Sequence, residues 1–490
     1  MSKGSSNHVD LRRLAQRVAI ENGFNPKFNL DAINQIRQIE KSAKSIVANT
    51  DVKDLTDILW SSIDNTESKD LDQIEYAMID SSGDTRVMVG IADVDAMVPK
   101  GSAIDLHASD ATTSLYTGVA VFPMLPEELS EDITSLREGA QRLAIVMDMT
   151  VDADGAIKNA DFYRARVKNH AKLAYTALGK WFDQEADTPG NQHRVPGLEK
   201  QLLLQKTESE KFQDLRHRKG SLNLETIEAR AVTSQEGDVI DIVTVEDNPA
   251  RELIENFMVA ANSALAGFLE KHGVMSIRRI VKTPKRWPRI VEVAAHCGFK
   301  LPVQPDPKAL SEFLKERRQK DPLHFPDLSL TIVKLLGRGE YTVVKPGQQH
   351  EGHFGLGLHD YTHSTAPNRR FADLVAQRLL KALLAGKPTP YTEAELNDVA
   401  KQCTMREDQA NKIERFMRKA AAAVFLSERI GQRFDAIVTG VKDDATYVRV
   451  LKPSVEGRIV KGEHGLDVGD KVNVKLVATD PERGFIDFSR

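Results

Sequence analysis

Residues 63–77 read IDNTESKDLDQIEYA, a stretch that sets Asp64, Asp70 and Asp72 close together and holds few large apolar side chains. Carboxylates at this density have two readings. One is a solvated acidic loop. The other is a hard-cation site, because magnesium takes oxygen ligands and is commonly held by a few carboxylates together with water and substrate phosphate. The stretch by itself leaves both open.

A second chemistry-bearing group lies in YTHSTAPNRRFADLVAQRLL, residues 361–380. Ser364 or Thr365 can cap a helix there, Pro367 suits its first position, and Arg369 and Arg370 fall in the opening turn. Backbone N–H groups, the positive end of the helix and a forked guanidinium would together attract an anion such as phosphate. Simple pairing of both arginines with surface acids is the competing reading. His350, His353, His359 and His363 crowd into QQHEGHFGLGLHDYTH and raise a transition-metal site. The embedded FGLGL and the lack of cysteine partners favour a tight, packed loop in which the histidines serve as hydrogen-bonding structure. A nucleotide-triphosphate loop of the form GxxxxGK followed by Ser or Thr is absent, and so is a GxSxG serine elbow.

The rest of the chain must position these groups. Its 490 residues suffice for several domains or one large domain with appendages, and 41% hydrophobic with 28% charged residues is an ordinary globular balance. The net charge of -4 excludes a surface coated in positive charge, so a polyanion would have to meet local basic patches. Candidates are RHRK at 216–219, RRIVKTPKRWPR at 278–289, KERRQK at 315–320 and the NRR of the arginine motif. The two cysteines, Cys297 and Cys403, show no paired spacing, which suits a reducing compartment. No secretory signal and no membrane-length apolar run is visible, so a soluble cytoplasmic protein is expected.

Apolar spacing predicts two short helices in the first fifty residues, around Leu11–Val18 and Leu30–Ile39. Strands are expected at Arg86–Asp93 and in a hairpin from Leu143 to Val167 across an Asp154–Gly155 turn. Helices should dominate after residue 250, in ARELIENFMVAANSALAGFLEKHG, in RRFADLVAQRLLKALLAG, and from Glu393 to Gly431 with a break around Cys403. The tail offers five short strands, DAIVTGV, ATYVRVL, EGRIV, KVNVKLV and FIDFS, the pattern of a small barrel of the OB kind. Acid cluster, arginine motif and terminal barrel together point to metal-dependent phosphodiester cleavage of a single-stranded nucleic acid.

Five motifs in order carry a family resemblance: IDNTESKDLDQIEYA, IADVDAMV, FPMLPEELSEDITSLREGAQRLA, ARELIENFMVAAN and HFGLGLHDYTHSTAPNRRFADL. The sequence resembles the ribonuclease II (RNB-domain) family of exoribonucleases. Its tail resembles the S-one-type OB fold that follows the catalytic domain in that family. The resemblance implies an α+β protein: a helical segment at 1–50, a large mixed α/β RNB catalytic domain at 51–430, and an all-β OB fold at 431–490. It also implies a monomer that hydrolyses single-stranded RNA from the 3′ end, releasing nucleoside 5′-monophosphates with magnesium or manganese. A catalytically weak or silent RNA-binding regulator is the alternative.

Matched motif by motif, Asp64, Asp70, Asp72 and Gln73 fall on the metal positions, with Asp72 and Arg369 as the catalytic pair. Tyr116 matches an aromatic that stacks on the terminal base, while Glu255, Arg370 and Glu414 match substrate-binding positions. The sequence departs from the family at Gln73, where a fourth aspartate is usual; an amide can coordinate through its carbonyl oxygen but brings no charge. Leu224 stands where a second base-stacking aromatic is expected. Ala366, Asn368 and Phe371 replace the usual serine, isoleucine and tyrosine of the arginine motif. The segment before Asp51 has no room for the family's paired cold-shock folds.

Overall fold

A computed structural model describes residues 9–190, 195–225, 227–234, 239–245, 248–442 and 445–490. The amino terminus forms the two expected helices, α1 (Leu11–Glu21) and α2 (Leu30–Asn49). Each opens on a capping side chain, Asp10 and Asn29 respectively, that accepts from free first-turn N–H groups. A helix-free stretch follows: β1 (Lys53–Asp64), β2 (Gln73–Ile79) and β3 (Thr85–Ala92). Then come α3 (Ala103–Ala111), the two-residue strands β4 (Leu115–Tyr116) and β5 (Val121–Phe122), and the long hairpin of β6 (Gln141–Val151) and β7 (Ile157–Ala174).

Strands β1, β2, β3, β6 and β7 close into a barrel. Successive neighbours are antiparallel until β7 returns alongside β1 in parallel and seals the edge, with Ser61 opposite Ala171 and Ile63 opposite Leu173. Both faces of these strands are covered, which is why RVMVGIA and LAIVMDMTV read as near-continuous apolar runs rather than alternating ones. Trp60, Ile74, Met88 and Val146 pack into one core with α2. Ile63, Val87, Val89, Ile145 and Met147 pack into a second core. Gly90 sits where the barrel leaves no room for a side chain, because a Cβ there would stand 2.9 Å from Ile74 and 3.7 Å from Trp60.

The second core is closed by α4 (Tyr175–Phe182), α5 (Leu198–Arg218) and, beyond the ribbon of β8 (Glu228–Thr233) and β9 (Val239–Val245), by α6 (Pro249–Lys271). A short strand β10 (Ser276–Ile280) leads into a helical lobe of α7 (Trp287–His296), α8 (Pro307–Lys320) and α9 (Phe325–Leu336), after which β11 (Glu340–Val344) returns to pair with β10. Leu224 packs at the edge of the lobe's own core of Trp287, Phe313 and Phe325. The chain finishes with α10 (Phe371–Leu384), α11 (Glu393–Leu426) and five strands, β12 (Arg433–Lys442), β13 (Ala445–Val450), β14 (Val455–Lys461), β15 (Lys471–Asp480) and β16 (Phe485–Ser489). These close into a second barrel in the order β12-β13-β14-β16-β15, with β14 and β16 parallel. That is the anticipated OB arrangement.

Two local expectations are corrected. The helix from Glu393 is unbroken at Cys403: the thiol is buried among apolar neighbours, and neither proline nor glycine interrupts its 34 residues. It starts at a capping box formed by Thr392 and Glu395. The helix of the arginine motif begins later than its capping residues suggest. Arg369 and Arg370 donate their N–H groups to the carbonyl of Ala366 in a turn, and α10 starts at Phe371. Of the basic patches, several are internally consumed: Arg216 turns inward to Asn256, Arg278 pairs with Glu270, and Arg279 with Glu407. Among the described residues no helix is long and apolar enough to cross a membrane.

Trp60 is fully buried, and its indole N–H donates to the carbonyl of Leu55 at 3.0 Å, just where the β1–β7 register shifts. Trp60→Ala should therefore lower the unfolding free energy by about 3–5 kcal/mol, measured by urea titration. Trp60→Phe, which keeps most of the volume, should lose distinctly less.

Candidate active site

The acidic stretch is the connection between β1 and β2, at one end of the first barrel. Asp64 ends one strand and Gln73 begins the next. The loop between them is tied down throughout. The Asn65 N–H and the Ser68 hydroxyl donate to Asp64 Oδ1 at 2.6 and 2.8 Å. Lys172 of β7 donates to the carbonyls of Thr66 and Ser68. Near the far end, Leu71 is 2% exposed and plugs the first core. Its N–H donates to the Ser135 hydroxyl, and its carbonyl accepts from the Leu136 N–H. Extended chain alternates sides, so anchoring Leu71 inward turns Asp70 and Asp72 together toward the opposite side.

The arginine motif meets them there. Asn368 donates its N–H to Asp72 Oδ1 at 3.0 Å, and Arg369 Nε lies 3.8 Å from Asp72 Oδ2. The turn that presents these groups is itself locked. Asn262 of α6 accepts from the N–H and hydroxyl of Ser364, Asp373 of α10 accepts from the Ala366 N–H, and Thr134 donates to the Asn368 side chain. On its other edge, the carbonyl of Arg369 accepts from the Ser114 N–H, and the Phe371 N–H donates to Thr112. The same segment carries Tyr116, whose hydroxyl donates to Asp70 Oδ2 at 3.1 Å and whose N–H reaches Glu414 Oε1 at 3.4 Å. Arg370 points inward to Asp373, 2.7 Å away.

Two cavities open on this constellation. One of about 300 Å³ is lined by Tyr116, Arg369, Arg370, Tyr341, His363 and Glu414, among others. The other, of about 730 Å³, is lined by Tyr116 and Glu414 again, with Asn65, Tyr175, Arg251 and Arg418. Arg251 donates to the Asn65 side chain at 3.0 Å and its guanidinium lies 4.6 Å from the centre of the Tyr175 ring. Glu255 is exposed on α6 and lines neither cavity; its field acts on Arg216 and Tyr361.

The electrostatics follow from burial. Desolvation pushes the Asp72 carboxyl from its ordinary 3.8 to about 7, against the pull of Arg369 and the Asn368 N–H, while the negative fields of Asp70 and Asp373 add to the rise. Burial also raises Asp70, opposed by its hydrogen bonds, including the one from Tyr116. The Tyr116 and Tyr175 hydroxyls are pushed up by burial and by the surrounding carboxylates. Glu75, two residues beyond Gln73, is fully buried, and neither of its oxygens has a hydrogen-bond partner among the described residues. Its carboxyl is driven well up by burial, with Asp64 adding to the rise.

The structure thus gathers Asp64, Asp70, Asp72, Tyr116, Arg369, Arg370 and Glu414, leaves Gln73 at the start of β2 beside Asp72 with its ladder partner Ile91 in the second core, and sets Glu255 apart. It also brings in Glu75, Tyr175, Arg251 and the Asn368 N–H, none of which sequence spacing singled out. The one signal available for Glu75 is an acid inside the mostly apolar strand QIEYAMI. His353 and His363 serve the packed loop: burial lowers both, to about 4 for His353, and His363 Nδ1 lies 2.8 Å from the Tyr341 hydroxyl. His350, His359 and Asp360 form a separate group with ligand atoms within 4.8 Å of one another. There both rings are engaged with the Asp360 carboxylate.

A carboxylate pair, Asp72 buried and Asp70 half-buried, facing an arginine turn at the end of a five-stranded barrel, followed by an OB-type barrel, defines a class that comparison with known proteins makes specific. The chain matches the RNB domain over residues 52–386 and the RNase II-type exonuclease C-terminal S1 domain over residues 432–490; it belongs to the RNB-domain family. Ribonuclease R of Thermotoga maritima is 29% identical over 473 residues, covering 89% of this chain and 64% of that protein. Ribonuclease R of Escherichia coli is 28% identical over 472 residues, covering 89% and 57%. The chain therefore spans between about half and two thirds of the length of these curated relatives. Mycoplasma genitalium RNase R, solved in complex with ribose-methylated single-stranded RNA, shares the fold with a TM-score of 0.86 at 24% identity, over 98% of this chain and 78% of that one. Yeast Ssd1, a pseudonuclease, shares it with a TM-score of 0.71 at 17% identity, over 91% and 55%.

The raised Asp72 carboxyl has a stability consequence. Between pH 3.8 and about 7 the folded chain keeps a proton that the unfolded chain releases, so stability falls as pH rises through that window. In EDTA, Asp72→Asn should melt higher than wild type at about pH 8, and the gain should shrink toward zero by about pH 4.5. Thermal melts at the two pH values test this; a gain independent of pH would refute the assignment.

Proposed function

We propose that the chain is a 3′-to-5′ exoribonuclease that hydrolyses single-stranded RNA to nucleoside 5′-monophosphates. The observation that carries the reading is the convergence of Asp70, Asp72, Arg369 and Tyr116, drawn from three distant segments, on one locale between two cavities. The donor set fits hard divalent cations. Asp64, Asp70, Asp72 and the Gln73 amide offer only oxygen ligands. Asp72 Oδ2 lies beyond hydrogen-bond reach of Arg369, so lone pairs remain available. Held by these residues, magnesium or manganese would supply an activated water and neutralise charge on the scissile phosphate.

The chain's own groups do the rest. Arg369, its side chain 44% exposed and its backbone clamped on both edges, is aimed to stabilise charge on the phosphate. Tyr116 offers a partly exposed ring for stacking on the terminal base, fixed at its hydroxyl by Asp70. Arg370, bound to Asp373, stiffens the turn while lining the smaller cavity. Glu414 and Arg251 line the path along which the strand would lie, and the terminal barrel adds the binding surface usual for an OB fold. Glu255, exposed on α6, would meet RNA further from the cleaved bond.

Gln73 favours a second reading, a silent RNA binder, because it leaves the site one negative charge short. The two readings separate on turnover. With end-labelled single-stranded RNA and magnesium or manganese, wild type should release mononucleotides processively from the 3′ end. Arg369→Ala should cost on the order of 10²–10³ in kcat, and Asp72→Asn should leave no measurable release. Failure of wild type to release nucleotides with either metal would favour the silent binder. Tyr116→Ala should weaken RNA binding by about 1–3 kcal/mol, read by fluorescence anisotropy with a catalytically dead Asp72→Asn background.

A further inference from the structure

The four histidines of residues 350–363 divide into two pairs. His353 and His363 serve the packed loop, whereas His350 and His359 converge on the Asp360 carboxylate. His350 Nε2 lies 3.2 Å from one oxygen of Asp360 and His359 Nδ1 lies 3.2 Å from the other. All three ligand atoms fall within 4.8 Å of one another, and the two ring centres are 4.3 Å apart. A four-coordinate metal with bonds of about 2.0–2.2 Å spaces its ligands by about 3.3–3.6 Å, so the group needs little adjustment to close on an ion. Proton placement singles out His350. Its Nδ1 lies 2.9 Å from the Glu351 carbonyl, which can only accept, so the proton of the neutral ring is committed there. Nε2 of that tautomer carries a lone pair, and it faces the carboxylate, a second acceptor, on a side chain only 8% exposed. Two acceptors held face to face call for a cation between them, and a ring N–H donating to a backbone carbonyl is the arrangement that orients a metal-binding imidazole. Burial pushes the Asp360 carboxyl up, but the His359 hydrogen bond and the field of Arg278 outweigh it and hold the group below its ordinary value, ionised and ready to ligate.

The backbone holds the arms of this loop together by itself. His353 donates its N–H to the Leu358 carbonyl at 2.7 Å. Gly352 is required at the crossing, since a Cβ there would run into the Leu358 carbonyl and stand 2.8 Å from His359 Cα. From α6, Ser263 donates to the Asp360 carbonyl at 3.0 Å and Glu270 accepts from the Gly347 N–H at 2.6 Å. The histidines are thus presented by a frame that does not depend on an ion.

We propose that His350, His359 and Asp360 form a zinc site, with water in the fourth position, that staples residues 350–360 into a closed loop. Two imidazoles and a carboxylate suit zinc rather than magnesium, which favours oxygen alone. Tyr361, Thr362 and His363 separate Asp360 from Ser364, so the ion braces the segment that leads into the arginine turn. None of the three ligands lines the cavities beside Arg369, and the inference stands apart from the proposed cleavage of RNA.

Cobalt(II) in place of zinc gives the readout, because its visible absorption is intense in a tetrahedral field and weak in an octahedral one. Titrated into the metal-free full chain in excess magnesium, stoichiometric cobalt should develop the tetrahedral band, and zinc should bleach it. His359, its side chain 66% exposed, can be changed with little risk to the fold. His359→Ala should weaken zinc binding at least about tenfold and abolish the band, while Asp72→Asn leaves both unchanged. Excess zinc should raise the melting temperature of wild type and not that of His359→Ala. No tetrahedral band and no zinc binding in wild type, the result expected if a second ring proton on His350 takes the place of the metal, overturns the proposal. Equal zinc binding by wild type and His359→Ala overturns it too, as does loss of the band in Asp72→Asn, which would move the ion to the carboxylate loop.

Discussion

One buried hydrogen bond, from the Asn368 N–H to Asp72, joins positions 296 residues apart in the chain. Everything chemical in the molecule is arranged around it. The acidic loop alone could sit in solvent, and the arginine turn alone could pair with surface acids. Fastened to each other, they form a single pocket wall whose charges are fixed in distance. The bond forms because each partner is held from behind: Leu71 sinks into the barrel core on one side, and Asn262, Thr134 and Asp373 grip the turn on the other. A main-chain donor also resists mutation better than a side chain would, since any non-proline residue at 368 supplies it.

That arrangement leaves the site electrostatically unbalanced. Asp70 and Asp72 share the field of one guanidinium, Arg369, and burial raises the proton affinity of both, as it does that of Glu75. A purely structural cluster would have been paired off, as Asp95 and Asp105 are with Arg378, or Asp148 with Arg86. Within one chain, then, some buried acids are neutralised by arginine while Asp72 and Glu75 are left with raised proton affinity.

How much of this could be read from the residues depends on how local the cause is. Helices α1, α2, α6 and α10 and the five terminal strands were legible because apolar period and caps are written in the segment itself. The composition of the acidic loop was legible too, and the family resemblance named Asp72, Arg369 and Tyr116. Closure of the first barrel was not, because the parallel pairing of β7 with β1 is a long-range event that no window of sequence encodes. The start of α10 was misplaced for a related reason. Residues that cap well in isolation, Ser364 and Thr365, are instead consumed by Asn262 on another helix. Glu75 stayed hidden because a lone acid in a strand looks like an exposed position until the fold shows it covered.

The unbroken length of α11 has a mechanical meaning. Its 34 residues make a rod about 51 Å long, with Glu407 and Glu414 along the cavity wall and Ala422, Ala423 and Leu426 sunk into the terminal barrel. Such a rod acts as a lever: pivoting by about 2° at one end sweeps the other through nearly 2 Å. Strain applied at the terminal barrel would thus be delivered, undamped by any hinge, to the cavity wall at Glu407 and Glu414.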